Sequence, residues 1–162
     1  MPVAEIDKVT ACAYREAIKL ARWSSKIEIA GSIRREKPDP RDVDIVLIPN
    51  SKNAVLDYVS KQKKGKIGQG EKLVSYNTDG VEVDLYFATK DNWGAMLLFL
   101  TGPQKYNIGL RMVAKNKGLL LNQYGLWNGK RLIASKTEED IYRKLGKEWK
   151  SPELRGLKKD DR

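Results

Sequence analysis

The segment at residues 42–48 constrains the fold more than any other part of the chain. Two aspartates, Asp42 and Asp44, alternate with β-branched and aliphatic residues, and Pro49 ends the run. This composition predicts a strand. Because residues two apart in a strand point to the same face, Asp42 and Asp44 share one face and the apolar side chains between them point to the other.

A second strand with the same alternation is predicted at about 81–87, after a hairpin turn at Asp79-Gly80. Its apolar residues alternate with Glu82, Asp84 and Tyr86. If the two strands pair, Asp84 meets the two earlier aspartates. Three carboxylates on one face repel each other unless cations neutralise them. This arrangement therefore suits hard divalent metal ions with oxygen ligands. The alternative interpretation is that the three carboxylates simply lie on a solvent-exposed face of the sheet.

The remaining patterns predict an α+β fold, with a mixed sheet and flanking helices followed by a small α/β lobe. Helices are expected at 4–23, 53–61, 92–100, 103–117 and 137–145, strands at 26–30 and 72–77, and a hairpin at 119–133. The break at Thr101-Gly102-Pro103 divides the chain into lobes at 1–101 and 102–162. Residues 33–41 are expected to form a loop. A lysine cluster around Gly65 (Lys61, Lys63, Lys64 and Lys66) is expected to form a second, exposed loop.

Charge and composition exclude several kinds of site. The 162 residues contain no histidine and one cysteine, Cys12, which excludes a histidine base, a disulfide framework and a cysteine-rich zinc site. Cys12 is therefore expected in the core. The net charge is +10, and residues 103–162 hold 15 basic against 7 acidic side chains. This favours a surface for a polyanion, although a solvated face is equally compatible with charge alone.

The start of the chain lacks a basic-then-apolar leader, and the longest apolar run, at 95–100, is too short for a membrane span. We therefore expect a cytoplasmic or nuclear protein, depending on the host, which is not secreted and has no membrane partner.

Gly31-Ser32 follows the predicted strand at 26–30, and Arg34 and Arg35 come next. Backbone amides and the Ser32 hydroxyl can hold phosphate oxygens, and a guanidinium can bind a triphosphate. A Gly-Ser pair alone carries little information. Combined with the two aspartates ten residues later and a third on another strand, the pattern is specific.

These elements resemble the palm of the family X DNA polymerases, the polymerase beta-like group. The nucleotidyltransferase signature consists of Gly31-Ser32-Ile33-Arg34-Arg35, Asp42-Val43-Asp44 and Val83-Asp84-Leu85. Further segments resemble the thumb of that family, namely Phe99-Leu100-Thr101-Gly102, Tyr106-Asn107, Arg111 and Leu121-Asn122-Gln123-Tyr124-Gly125-Leu126. The resemblance covers roughly residues 28–155 in the same order.

The resemblance implies a template-directed DNA polymerase that fills short gaps during repair, acting as a monomer on primer-template or gapped DNA with dNTP. Asp42, Asp44 and Asp84 would be the catalytic residues and would bind two Mg²⁺ ions, or Mn²⁺. Nucleotide contacts are implied for Gly31, Ser32, Arg35, Phe99, Thr101, Gly102 and Asn107. Arg111, Lys115 and Lys117 would contact DNA.

Some features depart from the family. Glu82 stands where the best-known member has an arginine, and the chain has no room for a lyase domain or a fingers subdomain, so no lyase activity is expected. An untemplated nucleotidyltransferase remains an alternative, as does a non-catalytic binding module. The presence of all three aspartates argues against the module.

Overall fold

The computed structural model describes residues 6–68 and 73–157. The helices are α1 (Lys8–Ala21), α2 (Gly31–Arg34), α3 (Lys52–Ser60), α4 (Trp93–Thr101), α5 (Gln104–Asn116) and α6 (Glu138–Lys144), with a short 3₁₀ helix at Pro152–Leu154. The strands are β1 (Ser24–Ile29), β2 (Val43–Pro49), β3 (Lys63–Ile67), β4 (Leu73–Thr78), β5 (Val81–Phe87), β6 (Leu120–Asn122), β7 (Gly125–Asn128) and β8 (Arg131–Ala134). The α+β class expected from the sequence is confirmed.

The chain divides into two compact units. The first contains the residues up to Ile33 together with Lys37–Phe87, and the second contains Arg34–Glu36 together with the chain from Ala88 onward. Helix α4 belongs to the second unit, where it packs against α6 and β7. The sequence places the boundary after residue 101, because the Thr101-Gly102-Pro103 break is the more visible signal.

The first unit is built on a five-stranded sheet in the order β1-β2-β5-β4-β3. Strands β2 and β5 are parallel, and the other neighbours are antiparallel. Helices α1 and α3 contribute Leu20 and Val55 to a core that includes Ile45 and Leu85 from the central strands. Val43, Ile45 and Leu47 of β2 and the apolar residues of β5 therefore face the helices, and Asp44, Glu82 and Asp84 lie on the other face of the sheet.

Helix α1 begins at a side-chain cap, because an Asp7 carboxylate oxygen accepts a hydrogen bond from the Thr10 amide at 2.8 Å. Its inward side buries Cys12, as predicted, and also Glu16. The hydroxyls of Tyr58 and Tyr76 donate to Glu16 Oε1 at 2.7 and 2.8 Å. These bonds stabilise a carboxylate that would otherwise be costly to bury.

Two segments expected to be loops contain regular structure. Lys63–Ile67 pairs with β4 as an edge strand although all five of its residues are exposed. The loop prediction was wrong because an edge strand held by backbone hydrogen bonds needs no apolar alternation. The predicted loop at 33–41 also overlaps α2, a four-residue helix that ends at Arg34.

The second unit surrounds a separate core formed by α4, α5, α6 and the sheet β6-β7-β8. The predicted hairpin is two successive hairpins. The first turns after Asn122, whose Oδ1 accepts from the amides of Tyr124 and Gly125 at 2.9 and 3.1 Å. The second turns at Gly129-Lys130, between the paired residues Asn128 and Arg131. Within residues 6–68 and 73–157, no helix is long and apolar enough to cross a bilayer.

Candidate active site

The three predicted aspartates lie where β2 and β5 begin to run side by side. Asp44 of β2 is directly opposite Asp84 of β5, and Asp42 is the residue before β2. Asp44 and Asp84 are partly buried, whereas Asp42 is exposed. The strand pairing that the sequence suggests for these carboxylates is therefore present.

The polar face around Asp84 is strongly negative. Burial raises the pKa of the Asp84 carboxyl to about 6, and the charges of Glu82 and Asp42 add to this effect. Burial and the charge of Asp44 also raise the pKa of the Tyr86 hydroxyl. A site that disfavours its own negative charge in this way suits a cation with oxygen ligands.

The carboxylates are neighbours on the sheet without forming a closed set of ligands. In the described part of the chain, no group of three or more Asp, Glu or Cys side chains is arranged to hold a metal ion. The donor chemistry of Asp42, Asp44 and Asp84 nevertheless fits Mg²⁺, which prefers carboxylate oxygens and keeps several of its own waters.

Gly31 lies directly against Asp44. It has φ +62°, and a Cβ at this position would collide with Asp44 Oδ2. The amide of Ala30 donates to the carbonyl of Asp44 at 2.8 Å, which fixes the end of β1 to β2. The Gly31-Ser32 turn and the β2 carboxylate are therefore held together, and Ser32 is partly exposed beside them.

In the second unit, three predicted nucleotide contacts are close together. Arg35 Nη1 donates to the carbonyl of Thr101 at 2.6 Å. Gly102 has φ +66°, and a Cβ there would lie 3.3 Å from Arg35 Nη1. Glycine therefore suits this position both for its conformation and for the approach of the guanidinium.

Phe99, Asn107 and Arg111 line one small cavity of the second unit. Asn107 Nδ2 donates to the Phe99 carbonyl at 2.9 Å, while Asn107 Oδ1 is buried without a hydrogen-bond partner. The cavity also includes Ala95, Leu98, Leu110, Leu121 and Asn122. The two further predicted DNA contacts, Lys115 and Lys117, are exposed at the end of α5 and do not line this cavity.

Sequence reasoning missed a buried ion network in the second unit. Arg34 binds Glu138 with both terminal nitrogens, at 2.9 and 3.0 Å. Arg155, 2% exposed, binds the same carboxylate at 3.1 Å through each terminal nitrogen. Trp149 Nε1 donates to it at 3.0 Å.

This network changes the interpretation of Arg34. The sequence suggests a phosphate contact, but the Arg34 guanidinium also donates to Thr101 Oγ1 at 2.7 Å and is occupied within the protein. Glu138 offers little signal in the sequence, because a glutamate after Thr137 is typical of the first turn of a helix.

A mixed sheet that carries paired aspartates beside a Gly-Ser turn is consistent with the palm of a nucleotidyltransferase. Residues 96–156 match the family model of the DNA polymerase beta thumb. The chain is 30% identical over 144 residues to the repair DNA polymerase X of African swine fever virus (isolate Warthog/Namibia), covering 82% of each protein. The chain belongs to family X of the DNA polymerases.

Two larger relatives match this chain over a smaller share of their own length. DNA polymerase IV of Saccharomyces cerevisiae is 27% identical over 141 residues, which is 84% of this chain and 24% of that protein. The DNA-directed DNA/RNA polymerase mu of Homo sapiens is 40% identical over 78 residues, covering 46% of this chain and 16% of the human protein.

Proposed function

We propose that this family X polymerase adds dNTP residues to a primer 3′-hydroxyl under the direction of a template, at short gaps in duplex DNA under repair. The observation that carries the proposal is the pairing of Asp44 with Asp84 across β2 and β5, with Asp42 preceding β2. The relatives, which are named repair DNA polymerase X and DNA polymerase IV, support the choice of DNA as the substrate.

In the proposed reaction, the 3′-oxygen attacks the α-phosphorus, and the bond from that phosphorus to the bridging oxygen of the β-phosphate breaks. Pyrophosphate leaves, and the hydroxyl loses its proton. Asp84 is assigned to the primer side, where its carboxylate can accept this proton. Positioning and charge stabilisation supply most of the catalysis in such a transfer.

Asp42, Asp44 and Asp84 would hold two Mg²⁺ ions. When bound, these ions supply charge neutralisation for the reacting phosphate oxygens. The raised pKa of Asp84, at about 6, supports this assignment, because bound cations would relieve the repulsion among the carboxylates.

The other assignments follow the placement of each residue in its own unit. Ser32 and the Gly31 amide would bind phosphate oxygens, and a phosphate contact is also assigned to Arg35. Phe99, Thr101 and Gly102 would contact the nucleotide sugar. Asn107 would read the base edge, which is consistent with its buried, unpartnered Oδ1. Arg111 would contact the template strand, with Lys115 and Lys117 binding DNA phosphates.

Primer extension on a one-nucleotide-gapped duplex tests the proposal, with each dNTP offered separately in Mg²⁺ and then in Mn²⁺. The wild-type protein is expected to add only the complementary nucleotide, and Asp84→Ala is expected to abolish the addition. Glu28→Gln is the matched control, because Glu28 is an exposed carboxylate on β1, opposite Val46 of β2. Addition that ignores the template would instead establish an untemplated transferase.

A further inference from the structure

The strand register of the first unit aligns basic residues with the carboxylates. Lys66 is opposite Ser75, Ser75 is opposite Asp84, and Asp84 is opposite Asp44. Residues directly opposite each other in neighbouring strands have side chains on the same face. The four residues therefore form one row across the sheet, which begins at a carboxylate and ends at a lysine.

A second, parallel row repeats the pattern. Lys63 is opposite Asn77, and Asn77 is opposite Glu82; an irregularity in β3 between Lys63 and Lys66 brings these two lysines, three residues apart, opposite alternate residues of β4. Val74 and Tyr76, the β4 residues on either side of Ser75, are buried on the helix-covered side. The two rows therefore lie on the face of the sheet that carries the candidate active site.

Charge changes sign along these rows. The β2 and β5 positions are acidic, the β4 positions are neutral hydroxyl and amide groups, and the β3 positions are lysines. All of β3 is exposed, and the strand is at the edge of the sheet. A polyanion whose end must approach the carboxylates is repelled there and attracted at β3.

The spacing fits a nucleic-acid strand. Neighbouring strands of a sheet are about 4.8 Å apart, so the Lys66 backbone lies about 10 Å from that of Asp84. One strand of duplex DNA carries a phosphate about every 3.4 Å along the helix axis. A strand whose 3′ end is at Asp84 would therefore bring one of its first few phosphates within reach of Lys66.

We propose that Lys66 and Lys63 bind phosphates of the primer strand, within the first few nucleotides behind its reacting 3′ end. Ser75 and Asn77, between the lysines and the carboxylates, provide hydrogen-bond donors along the same path. The assignment rests on the proposed function, because the 3′ end at Asp84 sets the direction in which the strand crosses the sheet. It also gives β3 a role that an ordinary solvated edge strand lacks.

The first test measures the affinity for gapped duplex as a function of salt for Lys66→Gln and the Lys63→Gln/Lys66→Gln double variant. Each lost phosphate contact should make the slope of log K against log [salt] shallower by about 0.9. Lys61→Gln is the matched control, because Lys61 belongs to the same lysine cluster but pairs with Asp57 at 3.0 Å. Equal slopes for Lys66→Gln and Lys61→Gln would overturn the proposal.

The second test identifies the DNA strand. Single neutral methylphosphonate linkages are placed in turn near the primer 3′ end, or at matching positions in the template. Lys66→Gln should weaken binding to the unmodified duplex but have no further effect once the contacted primer phosphate is neutral, which a double-mutant cycle measures as coupling. Coupling to the template strand, or to neither strand, contradicts the assignment.

These binding measurements are independent of the chemistry. Templated extension by the wild-type protein, measured on the same DNA, decides whether the proposed function holds. Failure of extension with coupling intact would count against the proposed function alone. Normal extension with no coupling would count against the lysine assignment alone.

Discussion

At the residue scale, Gly31 shows how one missing side chain can shape a reaction site. Its φ is +62°, a conformation that favours glycine, and Asp44 Oδ2 fills the space that a Cβ would need. The first property affects the stability of the turn. The close contact affects the position of the Asp44 carboxylate, which we assign to the chemistry. The effect on stability and the effect on activity can therefore be separated experimentally.

We expect Gly31→Ala to lower the rate of primer extension by about 100-fold, because displacing a reacting group by about 1 Å can cost that much. The strained backbone should also reduce the free energy of unfolding by about 1–2 kcal/mol. Single-turnover extension and urea unfolding measure the two effects.

Gly129→Ala is the matched control for this substitution. Gly129 has φ +61°, but a Cβ there would have no neighbour within 4 Å. It should lose similar stability and keep full activity. Equal activity for the two variants would show that the contact between Gly31 and Asp44 does not position the carboxylate.

At the scale of elements, Glu138 joins segments that are far apart in the chain. It starts α6, while its partners Arg34 and Arg155 come from the end of α2 and from the residue after the 3₁₀ helix. Burial disfavours the charge on Glu138, but the hydrogen bonds and charges of both arginines outweigh burial and lower its pKa to about 2. The carboxylate thus holds together three pieces of the second unit.

This pKa predicts how stability depends on pH. The folded value, about 2, is below the ordinary value of 4.5, so the stabilisation is complete above about pH 4.5 and is lost as pH falls toward 2. It corresponds to about 3 kcal/mol at neutral pH. Glu138→Gln should cost about 3–5 kcal/mol at pH 7, because it leaves the buried Arg155 and the partly buried Arg34 without their counter-charge. It should also flatten the stability profile between pH 4.5 and 2.

Urea unfolding at a series of pH values checks this prediction. Glu139→Gln is the control, because Glu139 is the next residue in the first turn of α6 but is exposed. It should change stability by less than about 1 kcal/mol and leave the pH profile intact. A Glu138→Gln profile that matches the wild type would rule out the network as the source of the acid sensitivity.

The elements that the sequence predicts are those with a one-sided apolar pattern. Strand β5 was predicted at its observed bounds because its apolar residues alternate regularly. Strand β3 was missed because its neighbour β4 supplies the hydrogen bonds and its own side chains carry no pattern. Asn92 precedes α4, where an asparagine is typical of a side-chain cap, yet it makes no capping bond, and its Oδ1 accepts instead from the Thr89 amide at 2.8 Å.

At the scale of the whole molecule, some parts of the candidate site follow from local sequence patterns and others depend on contacts between distant residues. Asp44 and Asp84 could be paired from sequence because alternation fixes their face, and only the strand order had to be supplied by the fold. The ion network could not be predicted, because Arg34 and Glu138 are 104 residues apart. No local pattern records a contact of that kind. The alignment of Lys66 with Asp84 needed the register of three strands.

The net charge is +10, and residues 103–162 hold 15 basic against 7 acidic side chains. This charge predicts that the affinity of the whole chain for DNA falls steeply as the salt concentration rises. Each neutralised phosphate contributes about −0.9 to the slope of log K against log [salt]. We expect a slope of several negative units for gapped duplex, measured by fluorescence anisotropy in increasing KCl. The Asp84→Asn variant should bind gapped duplex at least as tightly as the wild type and with a similar slope. The substitution removes one carboxylate charge that repels DNA and leaves every basic side chain in place. A slope near zero would mean that the basic side chains are only a solvated surface.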